Sequence, residues 1–484
     1  MSDVILVYPI ASYLDSVSKK PYLPLSLLSS SSYLTDNYKV KIIDQRVNKN
    51  WKEILKHELQ KDPICVGVTS QTGNQIKAGL NVSSIVRQNN PNVPIVWGGI
   101  HPTLLPEQTV KHPMIDIVAE GEGELVLKNL VNAFSDNKPL EQVNGITYKD
   151  NGKIIRNNPE KLIDLNKLPE LPYKILDVKD YLMEFEGKKC LPVETSRGCY
   201  SSCAFCYNRS SPYKQFWRPM NQEKTIDRIK QLTETTKFDG FEIVDDNFFI
   251  DMKRAKGVAE GLIKESIDKF WWTGGVRIDA ILKMDKDYFE TLEKSRCVQL
   301  NPGVESGSER ILELIRKGIT VNDVLKASEK LNNTNIRPYY TFMGGFPTET
   351  IDDIKDSISL ATKLLKSNKK TKISLYHCFR PLPNTRLFEL VKQYNFKEPS
   401  SLEQWSKYDT TFIDFPWIKN DVKKTINALN FVSLFIDEKC DQTDSMVIKL
   451  LTRLYRPLAR YRFTHFNFSF MLEKRISDML SLLN

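Results

Sequence analysis

Three cysteines stand at positions 199, 203 and 206 in the stretch ETSRGCYSSCAFCYN, while Cys65, Cys190, Cys297, Cys378 and Cys440 are scattered singly among apolar neighbours. The C-x3-C-x2-C spacing puts three thiolates on one short loop, and ligand arithmetic narrows what that loop holds. Structural zinc takes four tetrahedral ligands, usually from two separated pairs. A second pair is missing, so His101 or His377 would have to be recruited from far along the chain. A C-x-x-C redox pair of Cys203 and Cys206 leaves Cys199 unexplained. Three thiolates suit a [4Fe–4S] cluster with one iron left open to a chelating small molecule. Gly198 lets the chain turn into this loop, and Phe205 offers an aromatic wall beside it.

The elements that must position the loop are legible from hydrophobic period and punctuation. Up to about residue 135, VILVYP (4–9), KVKIID (39–44), ICVGVTS (64–70), PIVWGG (94–99) and IDIVAEGE (115–122) read as buried strands, separated by amphipathic helices. This alternation predicts an α/β unit over 1–140, a doubly wound parallel sheet of flavodoxin-like type. Ligands of such sheets sit at the carboxyl ends of the strands, where Thr69-Ser70, Gly98-Gly99 and Gly121-Glu122-Gly123 gather. Residues 141–188 break the pattern: VNGITYKDNGKIIRN reads as a hairpin turning at Asp150-Asn151-Gly152, and DLNKLPELPYKIL as a proline-punctuated linker. Over 189–390, six strand candidates begin at about 191, 240, 271, 297, 337 and 372 with helices between them. They predict a partial (β/α)6 barrel, short of the eight units of a closed one. Residues 391–484 read as a helical segment.

The totals set outer limits. A chain of 484 residues calls for two or three domains. Hydrophobic residues at 41% and charged residues at 27% fit a globular protein with no run of apolar residues long enough to span a bilayer. MSDVILVYPI reads as a first strand rather than a signal peptide, and scattered cysteines argue against a secreted disulfide framework, so the expected location is the cytoplasm. A net charge of +9 permits an anionic partner without calling for nucleic acid.

A C-x3-C-x2-C loop after a first barrel strand resembles the signature of the radical S-adenosylmethionine (SAM) superfamily. That resemblance implies that the open iron at Cys199, Cys203 and Cys206 binds SAM. It also assigns SAM-binding roles to Phe205, to Asp245 and Asp246 at the second strand end, to Arg277 as partner of the SAM carboxylate, and to Glu305 and Ser306 in GVESGS. GGFPTET (344–350) resembles the segment near the adenine. A flavodoxin-like domain ahead of such a barrel is similar to the cobalamin-binding class, which includes class B methyltransferases and the anaerobic oxidative cyclase of bacteriochlorophyll synthesis. In that arrangement Thr69, Ser70, Gly98, Gly99, His101, Gly121 and Glu122 contact cobalamin. The D-x-H-x-x-G motif of many such domains is absent from PIASYLDSVSKKPYLP (9–24), so the resemblance implies cobalamin bound without a His ligand, its lower axial position empty, filled by water, or near a loop residue such as Gln71 or Asn74.

The implied activity is methylation of an unactivated carbon or phosphorus centre with the cluster, SAM and methylcobalamin. Radical cyclisation, ring rearrangement or carbon–carbon bond formation on the same scaffold, with or without cobalamin, is the alternative, and a non-catalytic cofactor sensor is a further one. Tyr376 and His377 are the candidate catalytic side chains, though packing accounts for a barrel tyrosine equally well. The implied partners are a small-molecule or lipid-like substrate and an external one-electron donor of flavodoxin or ferredoxin type. The basic, aromatic-rich stretch 450–484, with Arg453, Arg456, Arg460, Arg462, Lys474 and Arg475, suits either peripheral contact with an anionic membrane or ordinary helix packing with a solvated basic face.

Overall fold

Alternating runs of β-branched residues and amphipathic helices build two sheets in sequence. A computed structural model describes residues 3–11, 20–209, 216–409, 412–436, 446–468 and 470–474. Cys440, Arg475 and residues 12–19 of the 9–24 stretch lie outside the described residues. The first sheet contains β1 (Val4–Tyr8), β2 (Val40–Asp44), β3 (Cys65–Thr69), β4 (Ile95–Gly98), β5 (Ile117–Ala119), β6 (Ile146–Asp150) and β7 (Lys153–Arg156). Their spatial order is β2-β1-β3-β4-β5-β6-β7, and β1 to β5 pair in parallel, which is the flavodoxin-like order. Strands buried on both faces need no alternation, and VILV of β1 is indeed buried throughout. The hairpin expected to sit in a linker instead extends this sheet: β6 pairs antiparallel with β5 and β7 with β6. Ile146 and Tyr148 are buried, so the hairpin carries an inner apolar face, and the helix Pro106–Lys111 packs against it.

The second sheet contains β8 (Met183–Phe185), β9 (Lys188–Val193), β12 (Gly240–Ile243), β13 (Phe270–Val276), β14 (Cys297–Glu305), β15 (Arg337–Gly344) and β16 (Lys372–Cys378). A two-residue ribbon, β10 (Ser196–Arg197) with β11 (Arg218–Pro219), brackets the cysteine loop. The order β16-β15-β14-β13-β12-β9-β8 has six parallel strands, with β8 added antiparallel, so the barrel is open as the repeat count predicts. Helices follow the strands, and two of them, Val321–Asn332 and Ile351–Ser367, start with reciprocal capping boxes at Thr320/Asp323 and Thr350/Asp353. C-terminal helices Leu402–Trp405, Asn420–Ser433 and Met446–Thr464 complete the chain. The first seals the two domains together: Trp405 donates its indole N–H to Gln108 Oε1 (2.7 Å), and Gln108 Nε2 donates to Pro399 O (2.9 Å).

Candidate functional site

The cysteine loop starts where β10 ends. Gly198 turns the chain at a φ of 81°, a region other residues enter at a cost, and its N–H donates to Asp246 Oδ2 (2.9 Å). The loop is tied to the barrel through Ala204, whose N–H donates to Ile315 O (2.8 Å) and whose carbonyl accepts from Leu387 N (3.0 Å). Cys199, Cys203 and Cys206 carry no disulfide and are each partly exposed. Two donors reach toward their sulfurs: Arg277 Nη1 lies 3.6 Å from Cys203 Sγ and Asn247 Nδ2 lies 4.0 Å from Cys199 Sγ. Burial pushes the Cys206 thiol up to about 12, so a bound iron would have to supply the charge that stabilises its thiolate. Among the described residues no three Cys, His, Asp or Glu side chains converge on one metal ion. Thiolates that each take a different iron of a cluster need not converge so closely. The donor set fits a [4Fe–4S] group.

Below the loop, Asp245 is buried and accepts from Thr195 N, Thr195 Oγ1 and Ser196 Oγ, all at 2.6 Å. Burial pushes its carboxyl up to about 6 against those three donors. Its oxygens are turned into the fold, where Asp245 positions the loop entry. Arg277, expected to clamp the SAM carboxylate, is held by Asp279 Oδ1 (2.9 Å) and Lys317 O (2.6 Å), with its remaining arm on Cys203. It belongs to the cluster loop.

Two cavities adjoin the loop. The smaller one, about 290 Å³, is lined by Phe205, Glu305, Thr341, Met343, His377, Cys378, Phe379, Arg380 and Leu382, all at carboxyl ends of barrel strands or beyond them. Glu305 ends β14 at a φ of 70°, a strained position for a residue with a side chain, and its carboxylate pairs with Lys317 Nζ at 2.7 Å. Of the expected residues, Phe205, Glu305 and His377 line this cavity. Ser306 and Tyr376 do not. Ser306 Oγ packs 3.1 Å from Ser357 Oγ in the helix Ile351–Ser367, and Tyr376 is 3% exposed, with its ring where a Cβ on Gly344 would stand.

The larger cavity, about 320 Å³, lies between the domains. Thr69, Gly98, Gly99, Gly121, Glu122 and Gly123 line it from the sheet edge, and Glu194, Arg197, Tyr207 and Asp246 from the barrel side. Glycines at the strand ends stand among apolar side chains such as Leu6, Val68, Val96 and Leu127 in its lining. Gly99 has a φ of 98°, and a Cβ there would stand 2.7 Å from Ser70 O, so only glycine keeps this edge open. Its mixed apolar and backbone lining, within the size of small-ligand sites, suits the nucleotide tail of cobalamin. Among the described residues no histidine lines it.

Four expected cobalamin contacts fall elsewhere. Ser70 is buried behind Thr69. Gln71 and Asn74 flank Gly73, whose Cα faces Tyr408 and Asp409 of the C-terminal segment. His101 is buried, with Nδ1 2.9 Å from Thr72 Oγ1 and its ring edge-on to Trp405, and burial lowers its imidazole to about 3.

Arg197 was not singled out from sequence, although it immediately precedes Gly198-Cys199. It meets Glu122 (3.3 Å), Glu124 (2.7 Å) and Glu194 (2.9 Å), and Glu122 also pairs with Arg218. Ser29 Oγ completes the cluster by donating to Glu124 Oε1 (2.5 Å). These bonds clamp the cavity edge of the first domain to the strand that delivers the cysteines. Asn247 and Lys317 were also missed; each is a single polar residue whose role depends on tertiary approach.

A family model described as the radical SAM superfamily matches residues 193–361, and one described as a B12-binding domain matches residues 14–131. An uncharacterised methyltransferase of Pyrococcus horikoshii is 32% identical over 390 residues, covering 80% of this chain and 82% of that protein. The anaerobic magnesium-protoporphyrin IX monomethyl ester cyclase of Synechocystis sp. is 27% identical over 366 residues, 74% of this chain and 71% of that protein. The solved structure of the cobalamin-dependent SAM radical enzyme OxsB, with aqua-cobalamin and SAM bound, superposes with a TM-score of 0.75 over 100% of this chain and 75% of its own, at 21% identity. With its cysteine loop at the mouth of an open barrel and a glycine-edged sheet facing it across a shared cavity, the chain belongs to the radical SAM enzymes that carry an N-terminal B12-binding domain.

Proposed function

We propose that this protein is a cobalamin-dependent radical SAM methyltransferase acting on an unactivated carbon or phosphorus centre of a small molecule. The observation that carries the reading is the cavity of about 320 Å³ walled by both domains, which opens the glycine edge of the first sheet onto the residues flanking the cysteine loop. Methyltransferase relatives add support.

In this reading Cys199, Cys203 and Cys206 hold the cluster. Thr69, Gly98, Gly99 and Gly121 cradle the cobalamin tail, and Phe205 and Glu305 shape the SAM side of the barrel mouth. When bound, the cluster and SAM supply a hydrogen-abstracting radical, and cobalamin supplies the methyl group delivered to the substrate radical. The chain's part is to orient these groups and exclude water. Arg277 places a positive charge beside the cluster thiolates, and the Lys317–Glu305 pair fixes one wall of the smaller cavity. His377 stands in that wall, where its imidazole can hold or take a proton from substrate. The electron enters from an external donor of flavodoxin or ferredoxin type.

Anaerobic reconstitution with iron, sulfide and hydroxocobalamin, followed by desalting and absorption spectroscopy, tests the cofactor pair. Retained corrin bands with cluster absorption are expected, and methyl-labelled SAM should then label the corrin. Cluster absorption without corrin would overturn cobalamin-dependent methylation and leave cobalamin-free radical chemistry, the cyclase-like alternative.

A further inference from the structure

The helix Met446–Thr464 has two apolar faces, and only one is packed against other elements among the described residues. Thr452, Ala459 and Phe463 are buried against the helices Ile351–Ser367 and Asn420–Ser433, and Tyr455 stacks edge-on against Phe435. On the other side, Met446, Leu450, Leu451, Leu454, Leu458 and Tyr461 are between 44% and 84% exposed. At about 100° per residue these six fall within roughly 140° of arc, centred nearly opposite the buried face. They run from Met446 to Tyr461, about 22 Å of helix. An unbroken apolar stripe of this length facing water is rare on a monomer and marks a contact surface.

Charge indicates what the surface meets. The helix contains no Asp or Glu and carries Lys449, Arg453, Arg456, Arg460 and Arg462. Arg453 and Arg460 are exposed along one border of the stripe. Beyond that border lies a cavity of about 830 Å³, lined by Arg460, Phe463 and Thr464 from this helix and by Arg337, Lys366, Lys369, Lys370 and Lys372 from the amino-terminal end of the barrel. Glu186 is its one acidic lining residue and is already paired with Arg337 and with Lys372 (3.1 Å). A leucine stripe beside an uncompensated cationic basin is the pattern of a helix lying in a lipid interface, with its apolar side chains among the acyl chains and its cations among phosphate headgroups.

We propose that Met446–Thr464 is a docking helix for an anionic phospholipid surface, and that the adjoining basic cavity receives headgroup phosphates. This goes beyond the cofactor chemistry and stands or falls apart from it. Neutral lipid would bind weakly, because the stripe alone lacks the electrostatic attraction, and added salt would weaken binding to anionic lipid.

The test is co-sedimentation of the reconstituted full chain with phosphatidylcholine vesicles, with and without about 30% phosphatidylglycerol as the anionic component. Binding to the anionic vesicles is expected, with at least about a tenfold loss in the L454E/L458E variant and a smaller loss in K366E/K369E, while cluster absorption stays unchanged. If L454E/L458E fails to fold, K366E/K369E and the salt series carry the test alone. Failure to bind anionic vesicles, or equal binding of both variants, overturns the proposal. So does a dimer in solution that L454E/L458E dissociates, since the stripe would then face a second copy. Binding that appears only after residues 475–484 are deleted would also overturn it, by showing that the chain's own end covers the stripe. Stabilisation by pyrophosphate without vesicle binding would show a soluble-anion site instead.

Discussion

Replacing Arg197 tests whether charge clamps the B12-binding domain onto the cluster loop. The Arg197 side chain is 14% exposed and meets Glu122, Glu124 and Glu194, while Glu124 is only 3% exposed. Burial by itself would raise the Glu124 carboxyl, but Arg197 and Ser29 outweigh it and hold the group below its usual range. An R197M variant keeps most of the stem volume and strands that carboxylate. Removing one partner of a buried pair costs roughly 3–5 kcal/mol, because the remaining charge stays out of water. Glu122 retains Arg218, so the loss falls on Glu124 and Glu194. The double variant R197M/E124Q removes the stranded charge and should recover at least about 2 kcal/mol.

The pH dependence supplies a second readout. A carboxyl depressed in the folded state contributes stability above its unfolded pKa, about 4.3, and loses it as pH falls through the folded value. In R197M the stranded carboxyl prefers its proton, so the gap to wild type should narrow on acidification from pH 7.5 to 5. Urea midpoints of the reconstituted proteins at both pH values decide it. A variant within about 1 kcal/mol of wild type, or a double variant no better than the single one, would refute the reasoning.

C203A should drop iron from about four atoms per chain to under one and bleach the brown cluster absorption, as measured by iron assay. G99A should cost about 1–2 kcal/mol from its left-handed backbone alone. With its Cβ 2.7 Å from Ser70 O, G99A should also abolish corrin retention on gel filtration while the cluster remains. R277Q removes a cation 3.6 Å from Cys203 Sγ, so the cluster's reduction potential should become more negative in a spin-resonance titration; no change would detach Arg277 from the cluster. Burial pushes the Glu349 carboxyl up to about 8, so the folded chain keeps a proton that the unfolded chain releases above about pH 4.3. From this group stability should fall by up to roughly 1.4 kcal/mol per unit as pH rises from 4.3 to 8, and E349Q should flatten unfolding midpoints over that range.

The fold was legible because its signals are local. Each barrel strand expected near 240, 271, 297, 337 and 372 begins within a residue or two of that position, since β-branched and aromatic runs bounded by glycine and proline carry strand identity themselves. The cysteine loop was legible for the same reason. The destination of the hairpin 146–156 was not, because strand pairing depends on which sheet edge is left open, and the sequence of a hairpin does not state that. Arg197 shows the same limit for side chains. Its partners Glu122 and Glu124 lie more than 70 residues away, so no spacing rule connects them.

Several expected residues come as adjacent pairs at a strand end or in the turn just past it, and in a strand neighbouring side chains point to opposite faces. The structure divides them. Asp246 lines the interdomain cavity while Asp245 turns under the loop. Glu305 lines the barrel cavity while Ser306 turns to Ser357. Thr69 faces the sheet edge while Ser70 is buried. In β16 the division follows from register: His377 pairs with Met343, and both line the cavity, whereas Tyr376 pairs with Phe342, and both are buried. In β16 the member that faces the cavity is set by the neighbouring strand, because a one-residue slip would exchange the two faces. A motif therefore locates a strand end, and the partner strand chooses the residue that meets the ligand. On this argument an alanine at His377 should impair turnover with little loss of stability, whereas an alanine at Tyr376 should destabilise the barrel by about 3–5 kcal/mol, and a reversal of the two effects in paired denaturation and turnover assays would show that the register is wrong.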